Sequence, residues 1–247
     1  MRLIVVGSGD AFGSGGRTNT CFWLETAKGT LVVDFGASAL PALKVLNLDH
    51  RRIDGIVLSH LHGDHFGGLP MLLLDAQFLN RREHPLAIAG PPGTRDRLHA
   101  AMEVLFPKST GTKWRFPWQV VEVAVGGEAN VLGHTLRTAE VIHQSGAPST
   151  ALRLADGEKA FAYSGDTEWT DALLPIANGA DLFICECYAY AGAITGHLSW
   201  SILQTKIPAL GAKRLMITHM NPTMFAKLDE IERAGVLIAQ DGLRLEF

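Results

Sequence analysis

The sequence predicts an α/β fold, and three observations carry that prediction. Short apolar runs of strand length, among them Leu3-Ile4-Val5-Val6, Leu31-Val32-Val33 and Gly55-Ile56-Val57-Leu58, alternate with stretches of helical spacing in the first part of the chain. From Val120 onward the signal is mostly strand, over Val120 to Val125, Gly133 to Val141, Ala151 to Leu154 and Ala160 to Tyr163, broken by Gly and Asp-Gly turns. Several of these runs end in a histidine or an aspartate immediately before a loop, which places the chemistry-bearing residues at one rim of a sheet.

Composition sets the outer bounds. The 247 residues can bury a sizeable core, and 47% hydrophobic and 19% charged residues with a net charge of −3 describe an ordinary globular protein without a low-complexity tail. A nucleic-acid binder normally carries a basic stripe, whereas Arg51-Arg52, Arg81-Arg82 and Lys108 to Arg115 are short clusters that read as solvated patches. The opening apolar run is too short for a signal peptide, and no uninterrupted apolar stretch is long enough to span a bilayer, so the expectation is a cytoplasmic protein with no membrane partner. Three cysteines give no disulfide framework and agree with that expectation.

Taken in order, residues 2 to 6 read as a buried strand, followed by the glycine-rich loop from Gly7 to Gly16. A dinucleotide site would need a helix to open at those glycines, but the chain runs on into the β-rich Cys21-Phe22-Trp23-Leu24. The loop is expected near the functional site, where glycine lets backbone approach closely. Leu31 to Gly36 is a strand ending in Asp34, which suits either a partner for a ligand histidine or a cap for the helix expected over 37 to 48. Helices follow over about 68 to 80 and over 94 to 105, the latter with Leu98, Ala101, Met102 and Leu105 on one side. Residues 106 to 118 mix prolines with Trp114, Phe116, Trp118, Lys108, Lys113 and Arg115, which fits a substrate lid or, rather better, a loop anchored by its aromatics. Further helices are expected over 170 to 177, 198 to 210 with a break at Pro208, and 223 to 234. Cys185 and Cys187 flank Glu186 in an apolar run, so both thiols face one way as small core residues and Glu186 faces the other.

The densest chemistry is Ser59-His60-Leu61-His62-Gly63-Asp64-His65, directly after a strand. Imidazoles and carboxylates crowded this closely are costly to desolvate without a cation between them, and their neutral nitrogens and anionic oxygens are the donors that Zn²⁺ takes. Alternation at a strand end lets His60 and His62 converge on one ion while Asp64 and His65 face a second. Three later runs end the same way, at His143, Asp166 and His219. The resulting expectation is two divalent ions, Zn by preference with Mn or Fe as alternatives. His60, His62 and His143 would take one ion, Asp64, His65 and His219 the other, and Asp166 would bridge, since a carboxylate can span two cations. Water between such ions is acidified towards hydroxide. His50, His84, His99 and His134 fit no such site and read as surface or packing residues.

These residues resemble the metallo-β-lactamase superfamily, whose His-x-His-x-Asp-His motif is matched by His60 to His65 and whose later ligands are matched by His143, Asp166 and His219. The resemblance covers nearly the whole chain and is closest to the ribonuclease Z branch of metal-dependent phosphodiesterases, whose glycine motif resembles Val6 to Ala11 with Arg17 to Thr20. It implies a single hydrolase domain over 1–247, built as a four-layer αββα sandwich of two mixed sheets. Cys185-Glu186-Cys187-Tyr188 stands where that branch has His-Glu-Ala-Thr, and Gly196-His197-Leu198-Ser199 where it has a histidine before Ser or Thr. The resemblance therefore implies catalytic roles for Asp64, for Glu186 as the group that orients His197, and for His197 at the phosphoryl or leaving oxygen. Relatives that process tRNA carry a long RNA-gripping arm between the ligands matched by His143 and Asp166, and here only 144 to 165 lie between. The expected substrate is therefore a small phosphodiester, such as a cyclic or modified nucleotide, with RNA less favoured and a homodimer left open. The rivals are a lactone, thioester or β-lactam hydrolase, a tRNA 3′-end endonuclease, a di-iron redox protein and a metal-binding scaffold.

Overall fold

A computed structural model describes residues 1–247. The first half is β1 (Arg2–Gly7), β2 (Cys21–Thr26), β3 (Gly29–Val33), α1 (Ala39–Val45), β4 (Gly55–Val57), α2 (Gly63–Phe66), α3 (Leu69–Leu74), β5 (Leu86–Gly90), α4 (Thr94–Leu105) and β6 (Trp118–Glu122). The second is β7 (Glu128–Val131), β8 (His134–Glu140), β9 (Thr150–Ala155), β10 (Ala160–Tyr163), α5 (Leu173–Ala177), β11 (Leu182–Glu186), α6 (Trp200–Leu210), β12 (Leu215–Thr218), α7 (Pro222–Phe225), α8 (Leu228–Arg233) and β13 (Leu237–Ile238). A last strand, β14 (Arg244–Glu246), returns to pair with β1.

Two seven-stranded mixed sheets result, ordered β14-β1-β2-β3-β4-β5-β6 and β13-β12-β11-β10-β9-β8-β7. In the first, β14 to β3 pair antiparallel and β3 to β6 parallel. In the second, β7 to β10 pair antiparallel and β10 to β13 parallel. Strands with side chains buried on both faces build this arrangement. In β1, Leu3 and Val5 enter the core between the sheets, where Phe22 meets Tyr163 edge-on at 5.3 Å, while Ile4 and Val6 face the outer helices. One outer core is completed by Leu43, Leu69, Leu73, Leu98 and Met102 from α1, α3 and α4. The other is completed by Leu173, Ile176, Leu203, Leu210 and Ile231 from α5, α6 and α8, against Phe183, Cys185 and Ile217. The layers are thus helix, sheet, sheet, helix, the four-layer sandwich that the sequence resemblance implied. No helix is long and apolar enough to cross a membrane.

Several local expectations need correction. β7, β13 and β14 lie beyond the strands that the sequence predicts, because two to four residues are too few to show a period. The expected 68 to 80 helix is α3 running on into a wider π-helical turn over Asp75–Leu79, where Asp75 accepts from Lys44 and pairs with His50. Pro208 lies inside a continuous α6 rather than breaking it. The expected 223 to 234 helix is split into α7 and α8. On α4, Leu98 and Met102 are buried and Leu105 is exposed. Residues 106 to 118 are anchored rather than poised as a lid: Phe116 is buried, Trp114 packs edge-on against Phe116 and Trp118, and Gln77 bonds the backbone of Lys113 and Arg115. Trp118 pairs with Leu86 at the start of β5, so this anchored segment joins the rim away from the carboxyl ends of the parallel strands.

A histidine and aspartate centre at the strand ends

The carboxyl ends of β3, β4, β10, β11 and β12 open on one rim, the usual place for a site in parallel sheets. β4 leads into Ser59 and His60, His62 lies just before α2, and Asp64 and His65 stand in its first turn. β8 leads to His143, β10 to Asp166, and β12 to His219. The backbone turns sharply where it must aim a side chain inward, with Asp34 at φ 57° and His219 at φ 60°, a left-handed conformation costly outside glycine. Close packing is equally specific at Gly36, where a Cβ would come within 2.2 Å of the Asp64 carbonyl oxygen.

Two of the donor groups that form, each with its ligand atoms within 4.8 Å of one another, are His60, His62 and His143, and Asp64, His65, Asp166 and His219. The structure thus brings together the residues named from the sequence, where Asp166 was expected as a bridge between two sets of three. Asp166 lies between them: its Oδ2 is 3.2 Å from His219 Nε2, 3.3 Å from His65 Nε2, and 3.9 Å from both His60 Nε2 and His143 Nε2. Asp64 Oδ2 stands 3.2 Å from both His65 Nε2 and His219 Nε2.

The donor set fits divalent cations on the structure's own terms. His60 Nε2, His65 Nε2 and Asp166 Oδ1 are buried without a hydrogen-bond partner, and native proteins rarely leave such atoms unsatisfied. Burial alone would raise the Asp64 and Asp166 carboxyls, yet the neighbouring histidines outweigh it and hold both well below the usual carboxylate range. Burial also works against charge on His219, but Asp166 and Asp64 lift it to about 9. Burial, followed by the neighbouring His65, pushes His60 well down, which keeps its nitrogen a neutral donor.

Supporting bonds fix the rings. Asp34 accepts from His65 Nδ1 at 2.7 Å and from the Ser59 hydroxyl and backbone N–H, also at 2.7 Å. Of its two sequence readings Asp34 takes the histidine partner, and Ser38 stands at the N-cap of α1. His143 Nδ1 donates to the Gly196 carbonyl at 2.7 Å. Such partners set tautomer and ring direction, so Asp34→Ala is expected to weaken cation retention about 10- to 100-fold. Competition with a chelator checks this, and wild-type retention would remove Asp34 from the site.

Beside the donors, Glu186 is fully buried and its Oε1 lies 2.9 Å from His197 Nδ1. The backbone N–H groups of Thr167 and Leu198 hold the two Glu186 oxygens. Desolvation opposes charge on His197, but Glu186 prevails and holds its imidazole above the ordinary value. A ring nitrogen of His197 reaches within 4.8 Å of ligand atoms on both His143 and Asp166. Cys185 and Cys187 are buried in the outer core, and desolvation pushes the Cys185 thiol up, away from ligand chemistry.

Sequence reasoning missed residues that carry no motif. Asp241, in the turn before β14, accepts four bonds from the backbone and hydroxyl groups of Ser8 and Thr18, and so fixes the glycine loop. That loop returns a bond to the site, from the His219 N–H to the Ser8 carbonyl. Glu168 accepts from the Gly196 N–H and so steadies the loop that carries His197. A carboxylate whose partners lie far away along the chain leaves no spacing by which a sequence could reveal it.

Against known proteins, the family model described as Anti-Pycsar protein Apyc1 matches residues 1–241. The chain is 28% identical over 231 residues to the probable metallo-hydrolase YhfI of Bacillus subtilis, covering 89% of this chain and 87% of that protein. It is 26% identical over 279 aligned positions to ribonuclease BN of Escherichia coli, covering 90% and 89% respectively. The crystal structure of the short form of human tRNase Z superposes with a TM-score of 0.81 at 23% identity, covering 100% of this chain and 99% of that one.

Proposed function

Because the chain belongs to the Anti-Pycsar protein Apyc1 family, within the ribonuclease Z and phosphodiesterase branch of the metallo-β-lactamase superfamily of metal-dependent hydrolases, we propose that it is a dinuclear phosphodiesterase acting on a small phosphodiester such as a cyclic or modified nucleotide. The observation that carries this reading is the buried Glu186 bonded to His197 beside both donor groups. A phosphodiester expels an alkoxide that needs a proton and also carries a negative charge that a cationic His197 can meet, whereas an ester or lactone is neutral and calls only for the proton. With Nδ1 committed to Glu186, the other His197 nitrogen is the one that can carry that proton to the leaving oxygen.

His60, His62 and His143 would hold one cation and Asp64, His65 and His219 the other, with Asp166 shared. Divalent ions there, Zn by donor chemistry with Mn or Fe as alternatives, would supply Lewis acidity to the phosphoryl oxygens and acidify a water to hydroxide at neutral pH. Asp64 and Asp166 bring negative charge that balances the cations, and Asp34 keeps His65 aimed. Glu186 stays buried beside His197, whose side chain remains 20% exposed and open to substrate.

Small substrates are favoured by the connection between His143 and Asp166, which holds only a short loop and the β9–β10 hairpin. The names ribonuclease BN and tRNase Z keep RNA 3′-end cleavage as the second reading. One metal-replete preparation should be offered bis(4-nitrophenyl) phosphate, 3′,5′-cyclic nucleotides, a precursor tRNA and an aryl lactone. Turnover of the first two is expected to dominate. Lactone turnover far above them would overturn the phosphodiesterase reading, and efficient precursor cleavage would move the substrate to RNA.

A further inference from the structure

His197 stands on a tight turn with little core beneath it. Ala191, Gly192, Ala193 and Thr195 are exposed, the turn closes through the His197 N–H to the Ile194 carbonyl at 3.1 Å, and the chain is buried again only from Leu198 onward. Its placement therefore depends on a few polar bonds.

Within the turn, Gly196 is bonded on both sides. Its carbonyl accepts from His143 Nδ1 at 2.7 Å, and its N–H donates to Glu168 Oε1 at 2.9 Å. Only glycine suits the place, because φ is +78° and a Cβ would stand 3.1 Å from His143 Nδ1. Glu168 meets the His143 segment a second time through its own backbone. Its N–H donates to the Ile142 carbonyl at 3.1 Å, and the Ile142 N–H donates to the Thr167 hydroxyl at 3.0 Å, which itself donates to the Glu168 carbonyl at 2.6 Å. The links close a ring: from the Glu168 backbone to Ile142 and His143, from the His143 ring to Gly196, and from Gly196 back to the Glu168 carboxylate.

His143 is a cation donor, and the residue after Gly196 is His197. A His143 that donates from Nδ1 keeps the lone pair on Nε2, the form that a cation takes. The bond that sets this tautomer also draws the turn against His143, and the half-buried Glu168 carboxylate holds the turn from its other side.

We infer that Glu168 is a positioning residue that couples cation holding to proton delivery: by fixing Gly196 it keeps His143 aimed at its cation and His197 aimed at the leaving oxygen. The part that concerns His197 rests on the phosphodiesterase reading above, and the part that concerns His143 stands without it.

The test uses the full-length, metal-replete protein. E168A is expected to weaken one of the two proposed cations about tenfold in competition with a chelator, and to lower kcat on bis(4-nitrophenyl) phosphate about tenfold at saturating cation with KM unchanged, the lower end of the range for loss of a partner behind a ligand histidine. E168Q keeps an oxygen that accepts from the Gly196 N–H and should recover most of both. G196A should repeat the cation loss, because its methyl group presses on His143. In an H197A background, E168A should still weaken that cation but cost no further kcat, since its effect on turnover runs through the turn. Wild-type cation retention or wild-type kcat in E168A would overturn the coupling, as would equal weakening of both cations with a lowered melting temperature, which would make Glu168 a general support of the fold. A wild type that turns over no phosphodiester while E168A still loses one cation selectively would overturn the phosphodiesterase reading alone.

Discussion

If the proposed dinuclear centre holds, Asp166→Ala is expected to lower the cation content of purified protein towards one per chain or less and to cut kcat/KM by about a thousandfold or more. Its carboxylate faces both donor groups: Oδ2 lies within 3.3 Å of His65 and His219 and 3.9 Å from His60 and His143. Removal leaves each group with three ligands and takes away the negative charge that makes two neighbouring cations tolerable. Metal analysis and turnover on one sample, with circular dichroism to show that the fold persists, check the result. Two retained cations with near wild-type turnover would show that Asp166 bridges nothing.

His197→Ala is expected to reduce kcat by about 10²- to 10⁴-fold while cation content stays at the wild-type level, the range for loss of a positioned general acid. The two substitutions thus separate cation holding from proton delivery. Glu186→Gln should fall between wild type and His197→Ala, because the neutral amide can still bond Nδ1 but no longer supports the charged imidazole. An unchanged kcat in His197→Ala would remove His197 from proton delivery, and a cation-loaded wild type with no turnover would leave a cation-binding scaffold as the better description of the protein.

How much of this was legible beforehand follows from where the information sits. The β4 run and the cluster behind it announced themselves because apolar length and donor spacing are both local properties of the sequence. Asp34 was visible as a strand-ending acid, but its choice between capping α1 and holding His65 depends on the left-handed turn at its own Cα, which brings it to His65, distant in sequence. β13 and β14 were unreadable for another reason: two or three residues carry no periodicity, and they are strands only because β12 and β1 offer them an edge. Pro208 misled because proline costs a helix one backbone bond and a clash in its last turns, which burial of Leu203 and Leu210 evidently offsets. Asp241 was silent because all its partners are supplied by a loop at the other end of the chain.

The donor side chains come from both sheets: His60 to His65 follow β4 in the first, and His143, Asp166 and His219 follow strands of the second. Contacts such as His62 with His143 and Asp64 with His219 join residues 81 and 155 positions apart. Pairings of such high contact order form late, after the long intervening loops have closed. A chain released before β12 is made would carry six of the seven donors and lack only His219, so the second donor group would stay incomplete until the last strands are in place.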